Sequence, residues 1–157
     1  MRILLAIDGS PHSHAALAEV RRRPWPSGTV VQILTVIHAA APLVIDPALV
    51  IAAAHVEQLE EQRRGAAQLF DAAVAQLAGN GQDLEVTTKV LEGNPKDVIV
   101  EEAREWSADL IVLGSRGHGR LRRMVLGSVA QAVVANAPCS VQVVRDRHEK
   151  DNTEAAA

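Results

Sequence analysis

A chain of 157 residues fits one domain and can bury a core of its own. Apolar residues make up 48% but aromatics only 2%, so that core is built from Val, Ile, Leu and Ala. A net charge of −3 argues against general nucleic-acid binding, which asks for a strongly basic face, and a single cysteine, Cys139, excludes an intramolecular disulfide.

The chain opens on Arg2–Ile7, a nearly continuous apolar run of strand length. It lacks the apolar length and cleavage site of a secretory leader, and a reducing cytoplasm is the expected location. Ser10 then serves as a helix N-cap and Pro11 as the first helical residue. Ala16, Leu17 and Val20 give that helix an apolar face. Arg21, Arg22 and Arg23 suit its C-terminal dipole, and Pro24 ends it. Thr29–Ile37 is a second strand, rich in Val and Ile. The stretch from Ala39 to Val56 is mostly apolar, but Pro42, Asp46, Pro47 and His55 interrupt it, so no membrane span is expected.

A long Ala-rich helix runs from about Ala48 to Ala78. Leu49, Ala52, Val56, Leu59, Ala66, Phe70, Ala73 and Leu77 recur on one face, and Gly65 is a point where it could bend or break. Gly79-Asn80-Gly81 stops it. Leu84–Leu91 alternates, with Leu84, Val86, Thr88 and Val90 on one side, as an edge strand does. Asn94 caps the next helix and Pro95 opens it, with Val98, Ile99, Ala103 and Trp106 facing the core. Asp109–Leu113 is a fourth strand, almost wholly apolar. Ser128–Asn136 is a short helix with Val129, Ala132 and Val133 inward. Cys139–Arg145 is the last strand, and 146–157 is a polar, then Ala-rich tail expected to be disordered. Residues 1–145 form the single expected domain.

Strands alternating with helices predict a parallel sheet with helices on both faces. The order 3-2-1-4-5 puts the two most apolar strands at the centre. The order reverses between strands one and four, so a ligand is expected outside their carboxyl ends. Asp8 ends the first strand and Gly114 the fourth, and the two converge on that crevice.

The segment after strand four carries the chemistry. Gly114 and Gly117 are separated by two residues, and nine more precede Gly127-Ser128. A glycine-punctuated loop between a strand and a helix start suits a phosphate. Glycine allows close backbone approach, and the helix start offers unpaired N–H groups and a positive dipole end. A purely structural use of the glycines, to permit positive φ, is the competing reading. Arg116 lies between the first two glycines and is the best phosphate partner of the loop's basic residues; Arg120, Arg122 and Arg123 read as solvated. Asp8 either accepts from a ribose hydroxyl, helps place a metal, or serves as a turn residue. Ser128 either bonds a phosphate or caps its helix. His12 and His14 do not share a helix face, and His118 reads as a loop residue with no nucleophile to activate. There is no Gly-Lys-Ser/Thr, the third glycine of G-x-G-x-x-G is missing, and no Gly-x-Ser-x-Gly or zinc spacing occurs.

Three features together resemble the universal stress protein family in its nucleotide-binding branch: Ile3-Leu-Leu-Ala-Ile-Asp8-Gly-Ser, the spacing Gly114-x2-Gly117-x9-Gly127-Ser128, and Ala137-Pro-Cys-Ser-Val-Gln-Val-Val144. The resemblance implies an open α/β sandwich of Rossmann-like type, dimeric through the last strand (Cys139 to Arg145). By position it implies that Ala6, Ile7, Asp8 and Val36 line an adenine and ribose side. Leu113, Gly114, Gly117, Gly127, Ser128 and Val129 would form a phosphate side for ATP, with or without magnesium. The expected function is a dimeric ATP-binding stress sensor or regulator, in which ATP orders the loop from Ser115 to Leu126 and changes the surface seen by a regulatory protein partner. Two alternatives stand beside it: an interaction module that binds no nucleotide, and a slow ATP hydrolase or autophosphorylating protein using Asp8, His118 and Ser128.

Overall fold

The structure, a computed structural model, describes residues 1–37, 48–79, 81–118 and 126–146, with only the helical backbone over 48–55. The expected tail from 147 onward, Arg120, Arg122, Arg123 and most of the Ala39–Val56 stretch lie outside the described residues or side chains. Five strands and four helices alternate: β1 (Arg2–Ala6), α1 (Pro11–Arg22), β2 (Thr29–Ile37), α2 (Ala48–Ala78), β3 (Leu84–Glu92), α3 (Pro95–Glu105), β4 (Leu110–Gly114), α4 (Ser128–Asn136) and β5 (Ser140–Val144). All strand pairs are parallel, in the order β3-β2-β1-β4-β5. This is the sheet read from the sequence, with strand ends shifted by a residue or two.

The sheet has two apolar faces. Ile3, Leu5, Ile33 and Val112 pack with Leu17 and Val20 of α1 and Phe70, Ala73 and Leu77 of α2. Leu4, Leu34, Ile111 and Leu113 pack with Ile99 and Ala103 of α3 and Ala130 and Val133 of α4. Adjacent strand residues alternate between the two layers because side chains of an extended chain point to opposite faces. β1 has β2 on one side and β4 on the other, which is why Ile3, Leu4 and Leu5 are wholly buried.

Local chemistry sets the helix starts. The Ser10 hydroxyl accepts the Ser13 N–H at 3.2 Å, and the Asn94 side chain accepts the Lys96 N–H at 3.2 Å, each just before a proline. At the far end of α1, hydrogen bonding from Arg22, reinforced by Gln142 and Arg23, holds the Glu19 carboxyl below the ordinary carboxylate range against the opposing effect of its burial. Gln142 lies on β5, so this cluster ties α1 to the end of the sheet.

Three expectations are corrected. α2 runs unbroken through Gly65, and Val56, expected on its apolar face, is 55% exposed. A 31-residue helix is about 46 Å long, whereas a nine-residue strand spans about 30 Å, so α2 outruns the sheet it packs on. On α3, Val100 and Glu102 are buried where Val98 and Trp106 were expected; those two are half-buried. On α4, Ala130 and Val133 are buried, and Val129 and Ala132 only half so. Among the described residues, no helix is long and apolar enough to cross a membrane.

Glu102 is a carboxylate inside an apolar layer, and it is satisfied from two strands. Gln32 of β2 donates to it at 2.6 Å and Lys89 of β3 at 2.6 Å. Removing the acceptor leaves the buried Gln32 amide without its partner, which costs about 2 kcal/mol. Urea unfolding of Glu102→Ala is expected to show a loss of that size. Glu102→Gln keeps an acceptor for Gln32, and with Lys89 partly solvated its loss is expected to be below about 1 kcal/mol.

Candidate functional site

The chain leaves β1 toward α1 on one face and leaves β4 toward α4 on the other. The two connections diverge where the strand order reverses, and a cavity of about 1050 Å³ opens at the carboxyl ends of the strands. Every residue nominated from the sequence lies on its wall. Ala6, Ile7 and Asp8 come from the end of β1, and Val36 from the end of β2. Leu113 and Gly114 close β4, Arg116 and Gly117 follow it, and Gly127, Ser128 and Val129 begin α4.

Asp8 is exposed, and its Oδ1 accepts the Ser10 N–H at 3.0 Å, the turn chemistry expected of Asp-Gly-Ser-Pro. The glycine loop is stitched across this turn. Ser10 Oγ donates to the Arg116 carbonyl at 3.4 Å, and His118 Nε2 bonds the Asp8 carbonyl at 2.7 Å. At the other end of the loop, Gly127 N–H donates to the Ser115 carbonyl at 2.7 Å, and Ser115 N–H to Val144 of β5 at 2.7 Å. Asp146 N–H donates to Nδ1 of the buried His12 at 3.2 Å, so that nitrogen carries no proton. The Ser115 hydroxyl sits 3.4 Å from it.

The three motif glycines do not serve left-handed backbone. Positive φ occurs at Gly9, Gly28, Gly81 and Gly93 among the glycines described, and not at Gly114, Gly117 or Gly127. Close approach accounts for them. A Cβ on Gly114 would lie 2.7 Å from the His12 carbonyl carbon, and one on Gly117 would lie 2.5 Å from Asp8 Oδ2. One on Gly127 would lie 3.3 Å from both Arg116 Cα and the Ser115 carbonyl oxygen. At these three glycines the chain is thus packed tightly on its neighbours.

Ser128 was expected to cap α4 or bond a ligand. The cap position belongs to Gly127, with φ −70° and ψ 160° and no side-chain cap bond. Ser128 is the first helical residue and exposed on the cavity wall, where a helix start presents N–H donors. Cys139 is half-buried in the α3/α4 layer. Burial and the Asp109 carboxylate push its thiol above the ordinary range, against a hydrogen bond from Ile111, which keeps it a poor nucleophile.

Several wall residues were not nominated for the nucleotide site. His118, read as a loop residue and named only in the hydrolase alternative, lines the cavity and anchors the loop. His14 and Ser13 of α1 and Thr35 of β2 also line it. Gln62, Gly65, Ala66, Gln68, Leu69 and Ala72 of α2 line it too. Gly65, Leu69 and Ala72 each precede a core residue (Ala66, Phe70, Ala73) by one position, so the signal for these three was a stripe beside the core stripe.

An open parallel sheet with helices on both faces and a crevice at its switch point is a doubly wound α/β architecture. The model of the universal stress protein family matches residues 1–145, and the chain belongs to that family. It is 35% identical over 143 residues to a universal stress protein of Thermus aquaticus, covering 91% of this chain and 97% of that one. The solved universal stress protein UspA from Lactobacillus plantarum is similar at 28% identity and a TM-score of 0.79, over 92% and 97% of the two chains. Two structures of lower identity share the fold. One is a universal stress protein in complex with cAMP, with 21% identity, a TM-score of 0.67 and coverage of 92% and 96%. The other is an Arabidopsis thaliana family protein with AMP bound, with 15% identity, a TM-score of 0.68 and coverage of 99% and 98%.

The glycine geometry separates two alanine variants. Gly114→Ala drives a methyl into the His12 backbone, and overpacking of that kind costs about 1–3 kcal/mol. Gly65→Ala meets nothing within 4 Å in the middle of α2, where alanine gains up to about 1 kcal/mol over glycine. Thermal melts are expected to fall for the first and rise for the second.

Proposed function

We propose that the protein binds an adenine nucleotide, with ATP as the leading ligand and magnesium as its usual companion, in the crevice between β1 and β4. In this reading it acts as a dimeric stress-response sensor in the cytoplasm, and binding changes the surface offered to a regulatory protein. The observation that carries the reading is a single cavity whose wall holds both kinds of group a nucleotide needs. Aliphatic Ala6 and Val36 are fit for the faces of a purine, and Asp8, Arg116, Ser128 and the tightly packed motif glycines, with Leu113 and Val129 beside them, are fit for ribose hydroxyls and phosphate oxygens. The AMP and cAMP complexes of proteins with this fold support a nucleotide of this size and base.

The polar groups divide the work by charge. Asp8 Oδ1 is engaged by the Ser10 N–H, so ribose hydroxyls would donate to Oδ2 on the side facing Gly117. Phosphate oxygens would accept from the N–H groups that open α4 and from the Arg116 guanidinium. No Walker-type lysine is present, so binding rather than rapid turnover is the expected output.

The dimer follows from the sheet. β5 is the last strand and pairs with β4 alone among the described residues, and its Val141, Val143 and Val144 are half-buried. Such an edge is open to strand pairing with a twofold partner.

ATP at about 100 times its dissociation constant adds about 2.7 kcal/mol, or about 5–10 °C of melting temperature at this size. A shift of that size is expected for the wild type and not for Gly117→Val, whose side chain displaces the Asp8 carboxylate and fills the crevice. No shift with ATP, ADP, AMP or cAMP would favour the interaction-module reading. Sedimentation at micromolar concentration is expected to give a dimer; a monomer there would overturn the β5 assignment.

A further inference from the structure

We propose that His118 couples nucleotide binding to proton uptake, so that affinity for a phosphate-bearing ligand rises as pH falls from about 8 to 6. The proposal rests on the nucleotide reading and adds a regulatory property to the same site.

The argument starts from the partner of Nε2. It lies 2.7 Å from the Asp8 carbonyl oxygen, and a carbonyl oxygen only accepts, so Nε2 carries a proton in the neutral ring. Nδ1 is then the proton-free nitrogen of neutral His118 and the site of protonation. The same ring forms part of the cavity wall, beside Gly117 and Arg116. The neutral ring therefore offers a ligand a lone pair, which repels a phosphate oxygen. The charged ring offers a second N–H and a positive charge, which attract one. The Asp8 bond survives in both states because Nε2 donates in both. Protonation changes what the ligand meets without releasing the loop.

The charged or titratable groups that share the described cavity wall with His118 come from three segments. Asp8, whose carbonyl is its partner, belongs to the turn after β1, His14 to α1, and Arg116 to the same loop. Of these, only the histidine rings belong to a side-chain type that titrates between pH 5 and 8. Among the described residues of the cavity wall, His14 is the competitor for the effect, and it needs its own control.

The test uses ATP and the full chain, by isothermal titration at pH 6.0 and 8.0 and in two buffers of different ionisation enthalpy. His118→Gln is the informative variant, because its amide N–H can keep the bond to the Asp8 carbonyl but cannot titrate. ATP's own ionisation is common to both proteins and cancels in the comparison. The wild type is expected to take up more protons per ATP than His118→Gln and to gain about tenfold more affinity on going from pH 8.0 to 6.0. His14→Gln, whatever its affinity for ATP, is expected to keep the extra proton uptake and the steeper pH dependence that His118→Gln loses. Equal proton counts and equal pH dependence in wild type and His118→Gln, with ATP binding intact, would overturn the proposal and leave the nucleotide site standing. Transfer of the effect to His14→Gln would also overturn it. Absence of ATP binding in the wild type at both pH values would overturn the two together.

Discussion

The pairing of β1 with β4, Ala6 opposite Leu113, is the constraint on which the rest of the molecule depends. β1 is flanked on both sides, so Ile3, Leu4 and Leu5 are apolar and wholly buried, and its neighbours lie in opposite directions. The connections that leave β1 and β4 then go to opposite faces. No helix can cover the carboxyl ends of both strands, and a cavity is left there. The two groups that close it, Asp8 and the glycine loop, follow directly after those strands.

The loop keeps its place by close approach more than by many bonds. Glycine at 114 lets the end of β4 lie against the first turn of α1, glycine at 117 lets the loop pass over Asp8, and glycine at 127 lets α4 start on Arg116. Each is a packing requirement of the protein itself. The same tightness engages the Ser115 and Gly127 N–H groups within the protein and leaves the start of α4 at Ser128 on the cavity wall, where anions can be met. The spacing of the three glycines thus encodes the shape of the loop first, and its fitness for a ligand follows from that shape. His12 supports this from below, with Nδ1 accepting the Asp146 N–H while its backbone lies against Gly114.

Most of this architecture is legible in the sequence because the relevant signals are local. Strand order could be read from which runs are wholly apolar, and helix starts from Ser10-Pro11 and Asn94-Pro95. The site residues carried by strand ends and by the glycine motif were legible for the same reason. What escaped was set by distance. Val56 has the periodicity of a core residue, but the helix that carries it is longer than the sheet. Glu102 was not among the residues expected to face the core on α3, and it is buried there with Gln32 and Lys89, remote in sequence, as its partners. His118 gives no local sign that the Asp8 carbonyl is its partner. The α2 wall of the cavity lies on a stripe beside the core stripe, and only the three-dimensional placement of α2 turns it toward the crevice.

The most direct test of the central claim is a ¹H–¹⁵N correlation spectrum of the protein titrated with ATP. The account predicts that the largest shifts fall on the amides of Asp8, Gly114, Gly117 and Gly127 to Val129, with Val36 also affected, while β3 and the far ends of the strands stay still. Saturable shifts centred anywhere else, or none at these amides at millimolar ATP, would contradict it.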